Sequence, residues 1–182
     1  MEVDHEDFRR EGFFFDEHSF RLDLYRLLSC FYASTEFSKC RGQLKLESVA
    51  ILGDEFEEYE IARLLVNISA KIRMIQDREK EYFKKLKGVC GKLTPDLSTP
   101  NKKENLSFRE ACNKIIHAKH FKFDVKNVKV RDGDYSSSQS ALRPFIHLYG
   151  EKYDDKKKCL LNWKASLNVV DFSKIGAIHV KG

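Results

Sequence analysis

The chain has 182 residues, of which 42% are apolar and 34% charged, and its formal net charge is +5. This length and apolar content exclude a disordered or fibrous chain, since one domain of this size buries a sizeable core without metals or disulfides. The charge is uneven: residues 1–77 carry 10 Lys and Arg against 16 Asp and Glu, a net −6, whereas residues 78–182 carry 23 against 12, a net +11. The basic second half favours an anionic partner such as nucleic acid, although lysine-rich surfaces also serve solubility alone.

The beginning of the chain predicts an acidic arm over residues 1–18. Its first seven residues lack the basic head and apolar stretch of a signal peptide, and no uncharged apolar run reaches the length of a membrane span. We therefore expect a cytoplasmic protein with no membrane contact. The five cysteines form no CxxC pair, and neither phosphate-binding glycine motif is present, so we expect no metal and no nucleotide or other cofactor.

Helical periodicity dominates residues 19–120 and predicts a helical bundle there. After a first helix from about Ser19, a short helix over 43–52 is expected to end at Gly53. The clearest helix is predicted from Asp54 to Lys87. Its apolar stripe consists of Ile61, Leu64, Leu65, Ile68, Ile72 and Ile75. Residues 88–106 contain two glycines and two prolines and are predicted to be a loop.

The period changes to two in residues 121–182, which predicts a β-rich region that shares the core of the bundle. Strands are expected over 121–130, 145–149 and 159–165, with a turn at Asp132-Gly133 and a polar loop over 136–140. Residues 168–180 fit either a helix or a strand. Helices followed by strands predict an α+β fold, an N-terminal helical bundle with a smaller C-terminal antiparallel sheet.

One further predicted helix carries the candidate chemistry. Ser107 followed by Glu110 forms a capping box that begins it, and it is expected to reach about Lys119. At about 100° per residue, one face is apolar and the opposite face is polar. The apolar face has Phe108, Ala111, Cys112 and Ile115, and the polar face has Arg109, Asn113, His117 and His120. On the polar face, a guanidinium to hold phosphate and an imidazole to move a proton suit phosphodiester chemistry.

The segment from Cys112 to His117 resembles the signature of the HEPN superfamily of helical domains, in which an Arg and a polar residue precede a His. His117 matches the motif His and Asn113 the polar residue, whereas Cys112 occupies the position of the motif Arg. Arg109 lies one turn earlier. The resemblance covers residues 19–120 and implies a metal-independent endoribonuclease of the toxin or defence type, or a degenerate relative, which often dimerises. It would then use His117 as general acid or base, Arg109 to neutralise the phosphate and Asn113 to orient it.

Two alternatives stay open beside the enzyme. The first is a non-catalytic module that binds nucleic acid or protein, with nucleic-acid contacts predicted at Lys114, Lys119, His120 and Arg143. The second is a purely structural role for the polar helix face. Arg143 with His147, Tyr149 and Trp163 would also place basic and aromatic groups on a sheet face that stacks bases, although strand aromatics more often belong to a core. RNA and a second copy of the chain are the expected partners.

Overall fold

The structure, a computed structural model, describes residues 16–41, 43, 46–78, 88–132, 135–155 and 158–179. Most of the predicted arm, residues 1–15, therefore lies outside the described residues. The described part contains four helices and five strands. In chain order these are α1 (Glu17–Cys40), α2 (Glu47–Arg78), β1 (Val89–Thr94), β2 (Glu104–Ser107), α3 (Phe108–Ile116), β3 (His120–Asp132), β4 (Tyr135–Asp154), β5 (Cys159–Asn168) and α4 (Val169–His179).

The strands form one antiparallel sheet in the order β2-β1-β5-β4-β3. Inward-facing residues of β4 and β5 alternate with half-exposed ones, as expected for a sheet with one buried face. The inward set, which includes Ile146, Leu148, Trp163 and Ala165, joins a single apolar core with residues of all four helices. The described helices therefore cover one face of the sheet.

The two long helices pack against each other as an antiparallel hairpin. Arg41 at the end of α1 is ion-paired with Asp54 near the start of α2. At the other end of the hairpin, Lys71 Nζ of α2 lies 2.7 Å from Asp23 Oδ2 of α1. The apolar stripe predicted for α2 is confirmed, since its residues 61, 64, 65, 68 and 72 are fully buried.

The predicted loop over residues 88–106 is wrong, because this segment contains β1 and β2. Gly91 was one of the residues that predicted a loop. It lies within β1, where an added Cβ would come 1.9 Å from the Ser166 carbonyl oxygen of β5. The glycine allows close strand approach and does not mark a turn. Only the stretch between the strands, which contains Pro95 and Pro100, is irregular.

Other boundaries also differ. Gly53 lies inside α2, where its missing side chain makes room for the Phe37 ring of α1, 3.0 Å from an added Cβ. Residues 136–140 form part of β4 and pair with β3. The ambiguous segment at the end of the chain is helix α4. The α+β class is confirmed, but the helices do not all precede the strands, since β1 and β2 come before α3 and α4 follows β5.

Beyond the end of β5, side chains of helix α1 form hydrogen bonds with backbone groups at the edge of β4. β5 pairs with β4 only from Phe145 onward. Beyond that point, Ser34 Oγ accepts a hydrogen bond from Leu142 N at 2.8 Å, and Ser38 Oγ donates to the Ser140 carbonyl at 2.5 Å. Arg41 donates to the same carbonyl at 2.7 Å. Side chains of a helix thus pair the backbone groups that a neighbouring strand would otherwise pair.

We expect Ser34→Ala to lower the free energy of unfolding by about 1–3 kcal/mol, because the Leu142 N–H would stay buried without its acceptor. Urea denaturation followed by circular dichroism measures this change. Ser29→Ala is the matched control, since the Ser29 hydroxyl bonds the Tyr25 carbonyl of its own helix. Equal effects of the two substitutions would contradict the edge-pairing role of Ser34.

Candidate nucleic-acid interface

Helix α3 begins as its sequence predicts. Ser107 is the N-cap and its hydroxyl accepts a hydrogen bond from Glu110 N at 3.2 Å. The predicted apolar face is confirmed, because all four of its residues are buried. At the other end, the His117 N–H bonds the Asn113 carbonyl and caps the helix. The helix therefore ends at Ile116, before the predicted limit at Lys119.

The polar face of α3 is partly engaged in packing between elements. Asn113 Oδ1 accepts a hydrogen bond of 2.6 Å from Arg73 of α2, and its amide nitrogen donates to Glu110 at 3.3 Å. This network connects α3 to α2. Arg109 and His117, by contrast, are exposed at opposite ends of the helix. Of the three residues predicted to be catalytic, Arg109 and Asn113 thus lie on α3 and His117 is its C-cap, with Asn113 held by a cation of another helix.

His120 does not lie on this helix face, which corrects the helical-wheel prediction. The chain turns after His117, and Lys119 N donates to the Tyr149 carbonyl at 2.8 Å. This bond leads the chain into β3, where His120 is paired with Tyr149 of β4. Both Lys119 and His120 are exposed. Pairing with β4 overrides the helical pattern at this point.

The other residues predicted to contact nucleic acid differ in their surroundings. Lys114 is largely buried, with its ammonium 4.3 Å from the centre of the Trp163 ring and 3.4 Å from Glu110. It therefore serves packing. Lys119 is exposed and ion-paired with Glu151 at 2.6 Å. Arg143 is exposed on β4, 3.7 Å from the Asp124 carboxylate.

The sheet face opposite the helices carries two rows of polar side chains, which we call the open face. The strand register places one row across all five strands and a second row, two residues further, across four. The first row is Asn105, Lys92, Ser166, His147 and Lys122, and the second is Thr94, Lys164, Tyr149 and His120. With neighbouring strands about 4.8 Å apart, the first row spans about 19 Å.

The two rows of the open face carry positive charge. They contain three lysines and two histidines, and the carboxylates of Asp124 and Glu151 lie beyond the rows, ion-paired with Arg143 and Lys119. Partial burial is the largest cause of the lowered pKa of His147; Lys164 lowers this pKa further, Asp124 raises it, and Lys122 lowers it by the smallest amount. The effect of Lys164 indicates positive potential at this ring. Such a surface attracts phosphate groups.

Aromatic rings accompany these charges. The Lys164 ammonium lies 5.5 Å from the centre of the Tyr149 ring, a cation–π distance. Phe145 is 42% exposed and, two and four residues from His147 and Tyr149 along β4, lies on the same face. Trp163 is different, because it is 2% exposed within the core. Of the four residues that the sequence placed on one sheet face, His147 and Tyr149 lie on the open face, Trp163 is in the core, and Arg143 is exposed beside Asp124.

Sequence reasoning missed the three lysines that define the open face. Lys92 lies in a segment predicted to be a loop, so its side chain had no face to be assigned to. Lys122 and Lys164 alternate with buried neighbours in predicted strands. That alternation was the available signal, but it does not reveal which strands are adjacent.

We expect the His147 ring to titrate below its usual pKa near 6.5. Lys164→Gln removes one of the cations responsible, so the pKa of His147 should rise toward that value. NMR titration of the imidazole ring protons measures both quantities, with exposed Lys174 of α4 as the site of a control substitution to Gln. An unchanged His147 pKa in Lys164→Gln would contradict the electrostatic interpretation of this face.

Comparison of the chain with protein-family models, with curated proteins and with solved structures gives no match. None of the described helices is both long and apolar enough to cross a membrane. Within the described residues, no group of three or more His, Cys, Asp and Glu is arranged to hold a metal ion. The residues of the open face and of helix α3 are therefore the candidates for a functional site.

Proposed function

We propose that this protein binds single-stranded RNA on the open face of its sheet. The observation that carries the proposal is the pair of registered rows, in which three lysines and two histidines face solvent beside the Tyr149 and Phe145 rings. Lysines placed across a sheet neutralise successive phosphates, and aromatic rings between them offer stacking platforms for bases.

The shape of the surface favours a single strand over a duplex. Unstacked bases can lie flat on rings that project from a sheet, as in sheet-based RNA-binding modules. A base-paired helix keeps its bases stacked inside and presents mainly phosphates and sugars to the protein. The Tyr149 and Phe145 rings would have little to contact in that case. We therefore expect loops and unpaired segments to bind in preference to duplex RNA.

The enzymatic form of the proposal places cleavage at one margin of this surface. His117 is exposed in the turn between α3 and β3, three residues before His120 of the open face. Its carbonyl oxygen lies 2.9 Å from the position of a Cβ on Gly150, so the turn is packed against β4. Cleavage would require a strand bound along the second row to reach the His117 imidazole across this turn. Attack of a ribose 2′-OH on the adjacent phosphate would form a 2′,3′-cyclic phosphate and break the bond to the 5′-oxygen of the next nucleotide. His117 would take the proton of the 2′-OH as general base or give a proton to the leaving 5′-oxygen as general acid, and no metal would be needed.

In this proposal Asn113 has a structural role and does not orient the phosphate. Its side-chain amide is bonded to Arg73 and Glu110, so we assign it to the contact between α2 and α3 rather than to phosphate. Arg109 is exposed at the far end of α3, more than two helical turns from His117. The cation nearer to a phosphate at His117 would therefore be Lys119, which is already ion-paired with Glu151. Binding without turnover is the form that this arrangement supports best.

Binding of a fluorescent mixed-sequence single-stranded RNA should weaken steeply with salt, as measured by fluorescence anisotropy. Phe145→Ala should weaken it roughly 5- to 140-fold, the effect of losing one stacked base at about 1–3 kcal/mol. Lys122→Gln should reduce the slope of log K against log salt by about 0.7, the contribution of one phosphate contact on a single strand.

Lys174→Gln is the matched control for charge, since Lys174 is exposed on α4, on the helical side of the sheet. It should leave both affinity and salt slope unchanged. Equal losses in Lys122→Gln and Lys174→Gln would mean that only net charge matters and would remove the open face as the site. Equal binding of duplex RNA would contradict the stacking role of Phe145.

The catalytic form is tested with end-labelled RNA in EDTA, mixed with the wild-type protein or with His117→Ala. If His117 acts in cleavage, the wild type cuts the RNA and the variant binds it without cutting. His18, a histidine of α1 on the helical side, provides the control substitution to Ala. Intact RNA with the wild type, at concentrations that saturate binding, would leave a binding protein without ribonuclease activity.

A further inference from the structure

The sheet surface that carries the open face continues beyond its two rows, toward the connection between β4 and β5. The strand register pairs Glu151 with Asn162 in a third row and Tyr153 with Leu160 in a fourth. Because side chains two residues apart on a strand share a face, all four project on the same side as Tyr149. All four are exposed, Tyr153 by 54% and Leu160 by 63%. A polar pair and an apolar pair thus lie side by side at this margin of the sheet.

The Glu151 carboxylate has a cation beside it. Lys119 Nζ lies 2.6 Å from Glu151 Oε2, and the two side chains are 57% and 35% exposed. Lys119 is held against β4 by its backbone, since its N–H donates to the Tyr149 carbonyl at 2.8 Å. Exposed ion pairs contribute little to stability. The pair therefore presents a donor next to two acceptor oxygens, and both groups are accessible to a ligand.

This arrangement of donor and acceptors matches the edge of one RNA base. A carboxylate only accepts hydrogen bonds, and its two oxygens can accept two of them in parallel. The Watson–Crick edge of guanine presents two neighbouring donors, N1–H and N2–H₂, next to the acceptor O6. The corresponding edges of adenine, cytosine and uracil each carry a single donor group. Glu151 and Lys119 together therefore complement three positions of guanine and at most two of any other base.

We propose that this margin of the open face binds an unpaired guanine of the RNA. The inference rests on the proposed binding of single-stranded RNA and names the base that is recognised. Glu151 accepts hydrogen bonds from N1–H and N2–H₂ of the guanine, and Lys119 donates to O6. The base stacks on the Tyr153 ring, as bases do in single-strand recognition. Leu160, opposite Tyr153 on β5, provides an apolar neighbour for the stacked base.

The test is fluorescence anisotropy of the full chain with three labelled RNAs. They are a short oligouridine, the same RNA with one central guanosine, and the same RNA with inosine in place of that guanosine. Inosine lacks the N2 amino group and so removes one of the two donors. The guanosine RNA should bind roughly 5-fold or more tightly than the oligouridine, the discrimination of one bidentate contact. The inosine RNA should lose most of this gain.

Glu151→Gln should affect the RNAs in different ways. Its amide has one acceptor oxygen, so the gain from guanosine should disappear. Binding of oligouridine should not weaken, because the substitution removes a negative charge and releases Lys119. The control is Glu36→Gln on α1, since Glu36 is also an exposed glutamate, ion-paired with Lys39 at 2.7 Å. It should leave the ratio of guanosine to uridine affinity unchanged.

Tyr153→Ala tests the stacking part of the proposal. It should weaken binding of the guanosine RNA roughly 5- to 140-fold, the effect of losing one stacked base. Tyr25→Ala is the control, because Tyr25 is 69% exposed on α1, on the helical side of the sheet. The urea unfolding midpoints of both variants should match the wild type, since both rings are largely exposed.

Equal binding of the three RNAs by the wild type would overturn guanine recognition and leave RNA binding by the open face in place. A preference for guanosine that persists in Glu151→Gln would overturn the role of Glu151. Absence of binding of all three RNAs would overturn both this inference and the proposed function.

Discussion

The constraint on which the fold depends is the unequal length of its central strands. β4 has 20 residues and β5 has 10, so half of one edge of β4 has no strand neighbour among the described residues. Buried backbone groups must be paired, and α1 pairs them through Ser34, Ser38 and Arg41. These bonds fix α1 against the sheet, and α2 then packs on α1 and α3. With the described helices placed on one side in this way, the polar rows of β3, β4 and β5 are left to solvent.

Much of the local structure was predictable because it depends on neighbouring residues. The cap at Ser107, the buried faces of α2 and α3 and the α+β class all follow from spacing and capping rules. Pairing between distant residues was not predictable. Gly91 is a loop former by propensity, yet its contact with Ser166 makes it part of a strand. His120 continues a helical pattern, yet it is paired with Tyr149 in the sheet.

The difference between local patterns and long-range pairing also explains which parts of the candidate site were predicted. The polar face of α3 was visible in sequence because its residues are three and four apart. The open face combines residues of five separate strands, and its rows exist only once the strand order is known. His147 and Tyr149 were identified as a possible sheet-face pair, but their partners Lys92, Lys122 and Lys164 were not. Sequence periodicity therefore identified the polar and titratable side chains of one helix. It did not identify the open face, whose residues come together only in the folded sheet.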